Sequence, residues 1–237
     1  MKKTALITGS SKGIGRELSL LLLQKGYTVF GYSRTNSIKH KNFHFNQIDL
    51  TQVNNLENIR FPQVKKGEHI CLINNAGEIG EIEKFGKKKT NDIINEFNIN
   101  TVAPSILCNT FIKNYQNQSN HTPIMNISSG AALRPIESWG TYCQSKAAID
   151  MLTKIINEEH PNIKAYSIYP GVVDTEMQKK IRDTDVEKFA LKDIFVEYFN
   201  NKELVDPKII SQKIYHILSN LGLFKDNMVS LRDLSIK

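Results

Sequence analysis

Thr4-Ala5-Leu6-Ile7-Thr8-Gly9-Ser10-Ser11-Lys12-Gly13-Ile14-Gly15 decides the fold of this 237-residue chain. Thr4 to Thr8 reads as a short buried strand. It runs directly into a glycine-rich turn, and the pattern from about Ile14 to Gln24 reads as a helix. Glycines let a backbone approach a pyrophosphate closely, and the helix that follows presents free N–H groups and the positive end of its dipole. The spacing is Gly-x-x-x-Gly-x-Gly. Strand, glycine turn and helix together make a phosphate cradle.

Downstream, strand and helix patterns alternate. Strand candidates are Thr28 to Ser33, Phe43 to Ile48, His69 to Ile73, Pro123 to Ser128, Ile163 to Ile168 and a short one near Met228 to Leu231. This order predicts an α/β fold, a Rossmann-type doubly wound parallel sheet of about seven strands with helices on both faces. Such sheets bind ligands at the carboxyl ends of their strands. Gly9 follows the first strand, Asn74-Asn75-Ala76-Gly77 the fourth, Ser128-Ser129 the fifth and Pro170-Gly171 the sixth, so one cleft can hold them all.

A length of 237 residues with 40% hydrophobic content suits one globular domain spanning 1–237. The apolar run at the amino terminus stops at Gly9, far short of a signal core. No stretch reaches the roughly 20 apolar residues of a membrane span. Cys71, Cys108 and Cys143 have no paired or metal-ligand spacing, and the six histidines form no cluster, so the reading is free thiols in the cytoplasm and no metal. The net charge of +7 raises the question of nucleic acid, yet the densest basic run, Gly86-Lys87-Lys88-Lys89, is short and lacks interleaved aromatics. It reads as a solvated loop or the start of a helix, and the excess charge helps attract an anionic cofactor. No nucleic-acid or membrane partner is expected.

Tyr142 and Lys146 stand four residues apart and share a helix face. A phenol has a pKa of roughly 10, which a neighbouring cation lowers, so the pair can deliver a proton near neutral pH. Pro104 lies four residues after Asn100 and has no N–H. It would leave the Asn100 carbonyl free to hold a water, or simply kink or end a helix.

Thr8-Gly9-x-x-x-Gly13-x-Gly15, Asp49, Asn74-Asn75-Ala76-Gly77, Asn100, Ser129, Tyr142-x-x-x-Lys146 and Pro170-Gly171-x-x-x-Thr175 together resemble the short-chain dehydrogenase/reductase family over essentially the whole chain. Within that family the serine lies thirteen residues before the tyrosine, which selects Ser129 over Ser128. The resemblance implies a catalytic set of Asn100, Ser129, Tyr142 and Lys146. Tyr142 would give a proton to a carbonyl oxygen that Ser129 holds, Lys146 would bind the nicotinamide ribose and depress the tyrosine pKa, and Asn100 would hold a relay water. It implies cofactor contacts from Gly9, Ser11, Lys12, Gly13, Ile14, Gly15, Arg34, Asp49, Asn75, Ala76, Gly77, Tyr142, Lys146, Pro170, Gly171, Val173 and Thr175. No acidic residue ends the second strand to take the ribose hydroxyls. Arg34 and Lys12 stand ready for a 2′-phosphate instead, which points to NADPH/NADP+.

The stretch from about 176 to 206 would be a substrate lid. Its aromatics, with Met177 and Trp139, either line an apolar pocket or pack as core; Trp139 walls the site or braces the helix start. Asn126 to Ala131, Trp139 to Cys143 and Pro170 to Gln178 resemble the branch holding sepiapterin reductase and bacterial benzil reductase. The expectation is an NADPH-dependent reductase of small apolar ketones or vicinal diketones, working as a homodimer or homotetramer. The alternatives are a 3-oxoacyl or pterin reductase, and an NADP-binding regulator without turnover.

Overall fold

A computed structural model describes residues 2–117 and 122–236. Its centre is a seven-stranded, wholly parallel sheet built from β1 (Lys3–Thr8), β2 (Tyr27–Ser33), β3 (Phe43–Gln47), β4 (His69–Asn74), β5 (Ile124–Ile127), β6 (Ala165–Tyr169) and β7 (Met228–Ser230), in the order β3-β2-β1-β4-β5-β6-β7. The expected strands are therefore present, displaced by one or two residues at their ends. The chain first builds outward from β1 to β3, then returns past β1 to β4. That reversal opens a crevice between the carboxyl ends of β1 and β4.

Successive residues of β1 point to opposite faces, and each face has its own core. Ala5 and Ile7 join Leu18 and Leu22 of α1 (Gly13–Gln24) and Ile210, Ile214 and Ile217 of α7 (Pro207–Ser219). Leu6 joins Leu107 and Phe111 of α3 (Ala103–Tyr115) and Ile156 of α4 (Gly140–Glu159) on the other face. A ladder of buried polar side chains fixes α4 against the strands: Asn74 donates to Asn126 at 2.8 Å, Asn126 to Thr153 at 2.9 Å, and Thr153 meets Ser167 at 3.0 Å. Each of these bonds joins neighbouring elements, so the ladder sets where α4 sits along the sheet.

Between α2 (Thr90–Phe97) and α3 the chain makes a π-helical turn, Asn98–Val102, in which the Ala103 N–H bonds the Asn98 carbonyl five residues back. Pro104 cannot donate in the ordinary register, and the widened turn carries the helix past it without a break.

The basic run departs from its sequence reading. Lys87 and Lys89 are exposed and Lys89 stands at the start of α2, but the Lys88 side chain is only 1% exposed. Its ammonium bonds both Glu96 oxygens at 2.9 and 3.1 Å and the Glu81 carbonyl at 2.7 Å. Glu96 also accepts the Glu81 N–H at 2.9 Å, so one buried ion pair pins the loop that follows β4.

After β6 the chain leaves the sheet through α5 (Glu176–Asp183) and α6 (Lys192–Asn200). Its two ends are tied by a parallel bridge, with Val205 N–H to the Val172 carbonyl at 2.9 Å and Asp174 N–H to the Val205 carbonyl at 3.0 Å. The segment is thus an excursion over the carboxyl ends of the strands. Among the described residues no helix is long and apolar enough to cross a membrane, and no group of His, Cys, Asp or Glu could hold a metal ion.

Candidate active site

A cleft of about 1100 Å³ lies over the carboxyl ends of the strands. Its floor is the glycine turn. Gly9 and Gly13 take φ of +68° and +55°, the left-handed region where a side chain is strained. Gly15 serves closeness instead: a Cβ there would stand 2.3 Å from both the Gly9 carbonyl oxygen and Asn75 Nδ2. Asn75 Nδ2 donates to the Thr8 and Gly9 carbonyls at 2.9 and 3.2 Å, while the Thr8 hydroxyl accepts the N–H groups of Asn75 and Ala76 at 3.0 Å each. The turns after β1 and β4 are therefore one locked unit. The first turn of α1 carries no acidic residue and no side-chain cap, and Gly13 and Ile14 line the cleft beside Ser11 and Lys12. An uncapped helix start facing a cleft fits an anion such as a pyrophosphate.

At the far end Arg34 is exposed along the cleft wall and Asp49 faces it. The Asp49 carboxyl is held below its usual range, chiefly by the Thr51 N–H at 3.0 Å, with the Thr51 hydroxyl and the Arg34 charge assisting. Pro170, Gly171, Val173 and Thr175 form the opposite wall, and Thr175 lies against the glycine turn, 3.4 Å from where a Cβ on Gly13 would be.

Helix α4 brings Tyr142 and Lys146 into this cleft on one face, both buried. Burial pushes the Tyr142 hydroxyl up to about 12, with a hydrogen bond from Ser129 pulling the other way. Lys146 donates to the Ile127 carbonyl at 2.8 Å and lies 5.6 Å from the centre of the Tyr142 ring. Burial pulls its ammonium down to about 8, and the charge of Asp150 opposes that fall. Burial, not Lys146, sets the direction of the Tyr142 phenol. Removing a group from water penalises its charged form, and here that penalty exceeds the effect of the neighbours on Tyr142.

Asn100 is buried behind the cleft. Its side chain is clamped to backbone, accepting the Glu78 N–H at 2.9 Å and donating to the Glu78 carbonyl at 2.8 Å. A Cβ on Gly77 would come within 3.0 Å of Asn100 Oδ1 and 3.3 Å of Lys146 Nζ, so Gly77 is the gap through which these two residues approach each other.

Trp139 lines the cleft, stacks on Phe189 at 5.3 Å, lies tilted against Phe195 at 5.4 Å and meets Tyr142 edge-on at 5.9 Å. The aromatics of 176–206 divide: Phe189 is fully buried, Phe195 and Tyr198 line the cleft, and Phe199 is half exposed under Arg182. Met177 Sδ stands 4.0 Å from the Tyr142 hydroxyl.

The sequence profile of the family described as short chain dehydrogenase matches residues 3–186. The benzil reductase ((S)-benzoin forming) of Bacillus cereus is 33% identical over 232 residues, covering 90% of this chain and 92% of that one. This chain belongs to the short-chain dehydrogenase/reductase family. The sepiapterin reductase of Bos taurus is 32% identical over 162 residues, 67% of this chain and 60% of that protein. A solved short chain dehydrogenase/reductase of Saccharomyces cerevisiae superposes with a TM-score of 0.86 at 25% identity, covering 98% of this chain and 96% of the other. A serine dehydrogenase solved in closed form with NADP+ shares the fold at 18% identity with a TM-score of 0.79, covering 99% of each chain.

As a short-chain dehydrogenase/reductase the protein is an oxidoreductase, and the family binds NAD(P). The structure draws every sequence-chosen residue to this one cleft except Gly15 and Asn100, which stand behind it and shape Gly9 and Gly77. Two further groups escaped the sequence reading. Glu78 lines the cleft with its carboxyl pushed up by burial, against the lowering effect of Lys180 and Arg34. Asp150 is buried one helical turn beyond Lys146 and accepts a 2.6 Å hydrogen bond from Tyr169. The i, i+4 spacing that singled out Tyr142 and Lys146 also reaches Asp150.

Proposed function

We propose that this protein is an NADPH-dependent carbonyl reductase that acts on small apolar ketones or vicinal diketones. The observation that carries the reading is the setting of the Tyr142 hydroxyl. Ser129 acts on it as a hydrogen-bond partner, Met177 sulfur lies 4.0 Å away, and Trp139, Ile136 and Phe195 make the wall, with Phe189 packed behind them. This pairs one polar contact point with an apolar pocket, which suits a carbonyl flanked by apolar groups.

Bound NADPH supplies the hydride. The uncapped start of α1 with Gly9, Ser11, Gly13 and Ile14 would hold its pyrophosphate, Lys12 and Arg34 its 2′-phosphate, and Asp49 its adenine. Asn75, Ala76, Gly77, Pro170, Gly171, Val173 and Thr175 would line the remainder. Tyr142 donates the proton to the carbonyl oxygen and Ser129 fixes that oxygen in place. Lys146 binds the ribose hydroxyls and supports proton return, with Asn100 fixing the loop against which it packs. The excursion at 176–206 acts as a lid that excludes water.

The benzil reductases of Bacillus cereus and Bacillus subtilis match along most of their length. A pterin is disfavoured because the carboxyl-terminal part of the cleft is lined by Ser230 and Arg232, whereas Asp226 does not line it. Steady-state kinetics on benzil, a small aliphatic diketone, a 3-oxoacyl thioester and sepiapterin, with NADPH and NADH, tests the proposal. Highest kcat/KM on either of the last two sinks the substrate reading. Tight NADPH binding with no turnover of any carbonyl favours a regulatory role.

A further inference from the structure

We infer that Asp150, oriented by Tyr169, is a positioning residue for the proton-transfer pair: its carboxylate holds Lys146 in the ammonium form during reduction. The inference rests on the roles proposed above for Tyr142 and Lys146. Tyr142, Lys146 and Asp150 occupy successive turns of one face of α4, and they are 6%, 5% and 7% exposed. Asp150 Oδ2 accepts from the Tyr169 hydroxyl at 2.6 Å, and Oδ1 is buried with no hydrogen-bond partner.

A buried carboxylate oxygen without a donor is costly, and an amide or alcohol would satisfy Tyr169 as well. What a carboxylate adds is charge. The buried charged group one turn away is the Lys146 ammonium, bonded to the Ile127 carbonyl at 2.8 Å, whereas Lys154, one turn on in the other direction, is exposed to solvent. In surroundings poor in water, opposite charges across one helical turn act strongly on each other. Burial alone drives Lys146 toward the neutral amine, and Asp150 opposes it.

Other groups near this array come from several elements, and Asp226 is a second carboxylate that bears on it, through Tyr169. Tyr142 belongs to the same helix face, and Cys143 acts on Tyr142. Asn100 approaches from the π-helical turn, as the Gly77 geometry shows. Ser128 lies one residue beyond β5 and donates to the Lys146 carbonyl at 3.5 Å. Tyr169 comes from β6, its phenol raised by burial and by Asp150, with Asp226 before β7 contributing. Tyr169 also lines the cleft beside Pro170, so the carboxylate is tied to the cleft wall.

The test is the pH profile of kcat for the best carbonyl substrate at saturating NADPH, in the wild type, Asp150→Asn and Asp150→Glu. Reduction needs the protonated pair. Lys146 at about 8 titrates far below Tyr142 at about 12, so activity should fall as pH rises through about 8. Asp150→Asn removes the charge that raises Lys146, and the high-pH limb should move down by about one pH unit. NADPH affinity against pH, read by fluorescence titration, should show the same displacement. Asp150→Glu should return the limb toward the wild type. If Asp150→Asn does not fold by circular dichroism, Asp150→Ser carries the same test, since its smaller side chain leaves room for water. A limb that stays put without the carboxylate, or that glutamate does not restore, overturns the inference. Tyr142→Phe separates the two levels: if it retains activity the proposed acid is wrong, whereas an inactive Tyr142→Phe with an unmoved Asp150→Asn limb refutes only the role of Asp150.

Discussion

Replacing Lys88 with methionine should remove about 3–5 kcal/mol of folding stability, because it leaves a buried carboxylate without its counter-charge. Both side chains of the Lys88–Glu96 pair are 1% exposed. Losing the ammonium strips Glu96 of bonds at 2.9 and 3.1 Å and leaves it the Glu81 N–H at 2.9 Å. The carboxylate has little room to turn toward solvent: Gly80, at φ +66°, packs so closely that a Cβ would lie 1.9 Å from Glu96 Cδ. At about 2–4 °C per kcal/mol for a chain of this size, the melting temperature should fall by about 10 °C. The same loop carries Ile79 and Ile82, which pack with Trp139 and Tyr142, so KM for a bulky diketone should rise as well. Urea unfolding of Lys88→Met, Glu96→Leu and the double variant measures this directly. The double variant should recover most of the single-variant loss, since removing both charges removes the larger penalty, and fall short of the wild type by what the Glu81 N–H and carbonyl lose with their partners. A single-variant loss under about 1 kcal/mol, or a double variant no better than the singles, would refute the reasoning.

Three further outcomes are expected. Tyr142→Phe should keep NADPH affinity and lose turnover by at least a hundredfold, the lower end of the roughly 10²–10⁴ that general acid catalysis contributes; stopped-flow and binding titration read the two separately. Arg34→Asp should reduce the preference for NADPH over NADH by roughly ten- to a hundredfold, the range of a lost charge-assisted hydrogen bond, in the ratio of kcat/KM values. Equal efficiency with both cofactors in the wild type would remove Arg34 and Lys12 from the 2′-phosphate site. Gly15→Ala should weaken NADPH binding more than tenfold and lower the melting temperature, because its Cβ would meet backbone and Asn75 at 2.3 Å; unchanged binding and melting together would contradict the packing.

Much of this protein was legible in local spacing. Glycine positions at 9, 13 and 15, the apolar runs that became β1 to β7, and the pair Tyr142 and Lys146 each follow from rules that act over a few residues. The basic run misled because burial is not local: Lys87 and Lys89 reach solvent, while Lys88 between them meets Glu96 from the next helix. The Asn100 clamp on Glu78 joins residues 22 apart, and the Tyr169 bond to Asp150 spans 19. Neither leaves a periodic trace in the chain.

By itself, the amino-acid sequence determined the order of strands and helices, the glycine turn after β1 and the face of α4 that carries Tyr142 and Lys146. Backbone sterics and side-chain periodicity are short-range, so they can be read from the chain. Only the tertiary structure decided the protonation setting of that face. Tyr142 is raised, Lys146 is lowered and Asp150 is poised behind them because α4, β5 and β6 together exclude water from their charges. Desolvation depends on everything that packs around a group, and no spacing along one chain segment records it.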